Sequence, residues 1–190
     1  MATKATHYGE CQLCGRRQRL PGGHVAKHGY TVKDRGGWGF FTGTCHGSDN
    51  LPIEVSCSLI ELALRQTASR IRVYEGRISE LRETPPADAT RAWVQHYQSA
   101  RHRSERSGYV WREVEIESNG HSASYAVDGR SRRIDFYGLQ DRSLHGMIAS
   151  LNRKYADVLS KERDGVVQYG EWLAERLRSW APRPLAPIKE

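Results

Sequence analysis

The chain has 190 residues, of which 38% are hydrophobic, and a formal net charge of +7. That length suits one ordinary domain, or a small domain joined to a larger one. No run approaches the roughly 18 apolar residues of a membrane helix, and the start, M-A-T-K-A-T-H-Y, has no apolar signal core. These features exclude a membrane role and give the expectation of a cytoplasmic protein.

The charge is uneven. Residues 1–50 carry seven basic against three acidic side chains, a net of +4. Three of the four cysteines lie in the same stretch, at Cys11, Cys14 and Cys45. In a reducing compartment clustered cysteines point to a metal rather than to disulfides. C-Q-L-C-G reads as a knuckle, in which two thiolates reach one ion from a tight turn that a glycine relieves. Zinc takes four ligands in a tetrahedron. Cys45, in the Gly-rich turn T-G-T-C-H-G-S, is the best third ligand. For the fourth, His28 is preferred because it precedes Gly29 and a short strand, with His24 and Cys57 as rivals. His46 is disfavoured, since adjacent residues of an extended chain point apart.

Together, C-x-x-C-G, a later H-G and C-x-G-S resemble a small Cys/His zinc-ribbon-like module found in uncharacterised proteins of bacteriophages and actinobacteria. The resemblance covers about residues 7–50. It implies structural zinc held by Cys11, Cys14, His28 and Cys45, and a phage or mobile-element origin with the host cytoplasm as location. Tyr30, Trp38, Phe40 and Phe41 are expected to pack around the metal. A redox C-x-x-C needs a helix after it, and G-R-R-Q-R-L-P-G-G does not make one. A nuclease reading of His46 and Asn50 is disfavoured, because Pro52 interrupts the helix it requires.

From Glu54 to Arg82 the spacing of Ile60, Leu64, Thr67, Ile71, Tyr74, Ile78 and Leu81 predicts a helix with a heptad seam. Thr84-Pro85-Pro86 ends it. A second helix is expected from Ala89 to about Arg106, capped by Asp88, with Trp93, Tyr97 and Ala100 on one face. A three-stranded meander should follow. Val110, Val114 and Ile116 alternate with Glu113, Glu115 and Glu117, Asn119-Gly120 marks a turn, and further strands run from Ala123 to Val127 and Arg132 to Tyr137. The acidic row is expected to pair with Arg130, Arg132 and Arg133 across the sheet. Asp141 or Ser143 should cap a long helix that Pro182, Pro184 and Pro187 stop.

The expected fold is α+β, with a zinc-ribbon-like head (1–52), helical arms forming a bundle or coiled coil (53–107), an inserted β meander (108–139), a long C-terminal helix (140–181) and a flexible tail (182–190). No phosphate-binding loop, nucleotide fingerprint or activated nucleophile stands out. The expectation is a non-enzymatic binding protein that touches nucleic acid or a nucleoprotein complex. Arg16, Arg17, Arg19, Lys27 and Lys33 are the candidate phosphate contacts. The alternative is an inhibitor or adaptor docking on a host protein, with homo-oligomerisation through the helical seam.

Overall fold

The computed structural model describes residues 3–33, 40–98, 108–118, 122–127, 130–135 and 143–188, with only the backbone at 30–33, 40–42 and 135. Among the described residues it is a mixed α/β chain with two α-helices, α1 (Ser58–Arg82) and α2 (Leu144–Arg178), and small antiparallel sheets. No described helix is long and apolar enough to cross a membrane. The chain divides into two compact units: residues 1–70 with 166–190, and residues 71–165.

The first unit begins with β1 (His7–Glu10) and β2 (Arg17–Arg19), which pair antiparallel around the C-x-x-C turn. Strands β3 (Gly29–Lys33) and β4 (Phe40–Thr44) form a hairpin leading directly into Cys45. The expected flexible tail instead contributes a strand, Ala186–Pro187, against β1. Its anchors are a hydrogen bond from the Ile188 amide to the Thr6 carbonyl and one from the Arg183 amide to the Glu54 carbonyl. Ile53, Ile60, Ala63 and Leu173 form a core with Leu13, Leu64, Leu177 and Trp180 packed on it. The start of α1 and the end of α2 therefore share one apolar face within this unit.

Helix α1 starts at Ser58 rather than at Glu54. The reason is Pro52, whose carbonyl accepts the amides of Val55 and Ser56 in a separate turn. Buried Gln12 stitches the head to the helix: its Nε2 donates to the Leu51 carbonyl, and its Oε1 accepts the Leu59 amide of the first helical turn. One of the four orphan N–H groups of that turn is thus satisfied from outside the helix.

In the second unit the expected second helix is absent. Residues 91–98 form β5 (Arg91–Gln98), paired antiparallel with β6 (Gly108–Glu115); residues 99–107 lie outside the described residues. Ala92, Val94 and His96 are buried and alternate with more exposed neighbours. The stretch carries both a helical and a strand pattern, and pairing with β6 selects the period of two. The meander is redrawn accordingly. Residues 117–118 form β7 (Glu117–Ser118), which pairs with β8 (Ser122–Val127), and β8 pairs with β9 (Arg130–Asp135). Glu113 and Glu115 stand opposite Trp93 and Arg91 of β5 rather than opposite β9, while Glu117 and Arg133 both stand opposite Ser124, on either side of β8. Asn119-Gly120 and Phe136 to Asp141 lie outside the described residues.

The core of this unit gathers Ala92, Val94, Val114, Ile116, Ala123 and Val127 under Met147 and Ile148 of α2. A second cluster joins Ile78 and Leu81 of α1 to Ala156 and Leu159 of α2. Tyr155 lies stacked between Trp93 at 4.3 Å and Trp111 at 5.0 Å. Ser143 caps α2 by accepting the Gly146 amide at 3.0 Å, as its sequence position suggested.

Candidate metal centre

Cys11, Cys14, His28 and Cys45 converge, with their ligating atoms all within 4.8 Å of one another. Four local devices aim them. The Gly15 amide bonds to the Cys11 carbonyl, closing the first knuckle, and Gly15 has φ of +70°, which an L side chain rarely adopts. The amides of Leu13 and Cys14 point at the Cys11 sulfur, and that of Arg16 at the Cys14 sulfur. In the second knuckle the Ser48 amide bonds to the Cys45 carbonyl, and the Gly47 amide points at the Cys45 sulfur. The Cys45 amide in turn donates to the His28 carbonyl, tying the hairpin end to the histidine.

His28 is oriented through its far nitrogen. Nδ1 lies 2.9 Å from the Ala26 carbonyl, which can only accept, so Nδ1 carries the proton and Nε2 keeps its lone pair. That Nε2 faces the Cys14 sulfur at 3.2 Å. Ser48 completes the support by accepting the His28 amide and donating to the His28 carbonyl. A histidine held in this way is the usual outer arrangement of a metal ligand.

The spacing suits one ion. Cys11 and Cys45 sulfurs are 3.8 Å apart, far from a disulfide, and all four cysteines are free. Two sulfurs about 2.3 Å from a tetrahedral zinc lie about 3.8 Å from each other. Burial raises the Cys11 thiol from its ordinary 9.0 to about 12 against the pull of nearby amides. Burial also raises Cys45, with the charge of Cys14 adding to the effect. For Cys14 burial pushes upward too, but the Arg16 amide and the interactions with His28, Cys11 and Cys45 outweigh it, and its pKa is lowered. Three thiolates cannot share this buried volume without a cation between them. A divalent ion would supply that cation, and Cys11, Cys14, His28 and Cys45 are the four donors that could hold it.

His24 and His46 are exposed and outside the cluster; Cys57, half-buried just before α1, is outside it too. The side chains of Tyr30, Phe40 and Phe41, and Trp38 altogether, lie outside the described residues. Of the candidate phosphate contacts, Arg16, Arg17, Arg19 and Lys27 are exposed; the Lys33 side chain lies outside the described residues. Arg16 donates to the Gly29 carbonyl at 2.8 Å, and the Arg17 guanidinium lies 4.7 Å from the centre of the Tyr8 ring. Arg19 accepts the Ala26 amide at its carbonyl, which brings Lys27 beside β2. Comparison with protein-family models, curated proteins and solved structures gave no match to this chain.

Proposed function

We propose that this is a non-enzymatic, zinc-containing binding protein whose basic head contacts nucleic acid or a nucleoprotein. The observation that carries the reading is the Cys/His cluster, its ligating atoms all within 4.8 Å of one another, bordered by exposed cations on β2 and either side of it. Zinc here holds a short, Gly-rich segment that buries too little surface to fold unaided. Strand β2 is the outer strand of its sheet, and Arg17 and Arg19, two residues apart on it, share a face. Lys27 and Arg16 flank that strand. Side chains so grouped suit phosphate oxygens rather than base edges, so the expected binding is strong in low salt and weakly sequence-selective.

The test is a shift assay with duplex DNA and with RNA at low and moderate salt. Wild type should bind with marked salt sensitivity. Replacing Arg16, Arg17, Arg19 and Lys27 together by Ala should weaken binding and lower the salt slope by about one unit for each phosphate deprived of its cation. Salt-insensitive binding, or binding unchanged by the replacements, would sink the assignment.

A second reading, a protein-docking adaptor or inhibitor, is favoured by one observation. Tyr97 and Tyr109 stand opposite each other on β5 and β6, 46% and 69% exposed, with ring centres 5.3 Å apart. Tyrosines so presented are typical anchors of protein interfaces. Recovery of a host protein by wild type but not by a Tyr97→Ser, Tyr109→Ser variant, without nucleic-acid binding, would support that reading over the first.

A further inference from the structure

The C-x-x-C knuckle is held from outside as well as by its own turn. Its amides point inward at sulfur, which turns outward the Leu13 carbonyl and the second lone pair of the Cys11 carbonyl, whose first lone pair takes the Gly15 amide. Two side chains of α2 supply donors to them. The Tyr169 hydroxyl donates to the Leu13 carbonyl at 3.1 Å. Arg176 reaches the Cys11 carbonyl with Nη2 at 3.5 Å and forms an ion pair with Glu10 at 3.6 Å. Trp172 lies between them on the same helix face: its ring stacks on Tyr169 at 5.9 Å, and the Arg176 guanidinium sits 4.8 Å from its centre. A side chain at Gly15 would meet both, at 3.3 Å from Arg176 and 3.5 Å from Trp172. The knuckle therefore lies flush against this face.

The charge of a loaded centre gives the contact a purpose. Three thiolates, a neutral imidazole and a divalent ion leave one net negative charge. Arg176 is the helix cation that touches the backbone of a ligand. Glu10 takes up part of its charge, yet its Nε is buried without a hydrogen-bond partner among the described residues. Burial, followed by the charges of Cys45, Cys11 and Cys14, raises the Tyr169 pKa, so its hydroxyl stays a donor.

We propose that Tyr169 and Arg176 are positioning residues of the metal centre, holding the Cys11–Cys14 knuckle in its ligating shape and offsetting the charge of the loaded site. The inference rests on the metal reading above. Its consequence is linkage: loading the metal favours docking of this helix face, and the docked face favours retention of the metal by the same factor.

The test uses the full chain and cobalt(II), whose thiolate charge-transfer band reports ligation directly, with zinc affinity measured against a chromophoric chelator. Wild type should bind one equivalent and show the band. Arg176→Gln should bind about tenfold more weakly, as expected when an outer support of a metal site is removed. Arg176→Lys should recover part of the loss, and Tyr169→Phe should weaken binding in the same direction. Wild-type affinity in both Arg176→Gln and Tyr169→Phe, with the band intact, would overturn the proposal and leave the metal site standing. If wild type shows no band, the metal reading itself falls, and this inference with it. Should Arg176→Gln fail to fold, Tyr169→Phe decides, because it removes a single hydroxyl from a partly exposed ring.

Discussion

The sulfurs of Cys11 and Cys45 lie 3.8 Å apart although 34 positions separate them in the chain. That distance is the ligand–ligand edge of a zinc tetrahedron, about 3.8 Å, and nearly twice a disulfide bond. The two knuckles that carry them are thus set for a shared ion. The first expectation follows. Purified protein should contain one zinc per chain, and Cys14→Ser or Cys45→Ser should abolish tight binding and strongly destabilise the first unit, as measured by elemental analysis and thermal unfolding. Structural zinc contributes on the order of 10 kcal/mol of apparent binding free energy in small domains. A normally folded wild type without metal would refute the site.

Gly47 sets a tighter limit than the ligands themselves. A Cβ there would lie 2.2 Å from the Cys11 sulfur and 3.7 Å from that of Cys45. Gly47→Ala should therefore displace a ligand and weaken zinc binding by at least about tenfold, the order expected when a site is distorted without loss of a donor. Gly23→Ala makes a control. Gly23 has φ of +85° with open space around it, so only backbone strain of about 1–2 kcal/mol is expected there, with metal affinity unchanged. Chelator competition and unfolding curves separate the two outcomes.

The pH dependence has opposite signs with and without metal. In the metal-free chain Cys11 is raised from 9.0 to about 12, so folding favours its neutral thiol. Its contribution is complete below about pH 9 and is lost as pH rises toward 12. Cys45 shifts in the same direction. Cys14 shifts downward, so its contribution is present at high pH and is lost as pH falls through its folded value. Metal binding must remove the protons from Cys11 and Cys45, and from Cys14 wherever it is still protonated, so zinc affinity should fall with decreasing pH, by at least about 100-fold per unit. Chelator competition between pH 6 and 8 measures the slope; a flat profile would contradict thiolate ligation by these residues.

Gln12 offers a test of how the head joins α1. It is 1% exposed, and both ends of its amide are engaged, with the Leu51 carbonyl and the Leu59 amide. Gln12→Leu leaves the part-buried Leu51 carbonyl and the Leu59 amide of the helix start without those partners and should cost about 1–3 kcal/mol. Denaturant unfolding would register the loss. A change below about 0.5 kcal/mol would show that water replaces both bonds.

Tyr155, sandwiched by Trp93 and Trp111, probes the second unit. Tyr155→Ala should cost about 3 kcal/mol through the cavity and the missing ring stack while leaving zinc content unchanged. Near-ultraviolet circular dichroism should lose the signal of the stacked rings. Loss of zinc in this variant would contradict the assignment of metal binding to the first unit alone.

The ligand set was legible in the sequence because knuckles are local: a C-x-x-C-G turn and a C-x-G-S turn impose their own geometry wherever the chain takes them. Helix α1 and the cap of α2 at Ser143 were legible for the same reason, through period, proline stops and an N-cap. Sequence spacing preferred His28, before Gly29, with His24, after Gly23, as its rival, and His28 is the one in the cluster. The tertiary structure decided it by placing Ala26 and Ser48 against His28. Residues 89–98 carry Trp93 and Tyr97 at helical spacing and Ala92, Val94 and His96 at strand spacing. Only the partner strand β6 could select between them, because strand pairing is a non-local interaction. The hold of Tyr169 and Arg176 on the knuckle had no sequence signal either. It depends on two segments about 160 residues apart meeting in one unit, and long-range contacts of that kind are fixed by packing rather than by local pattern.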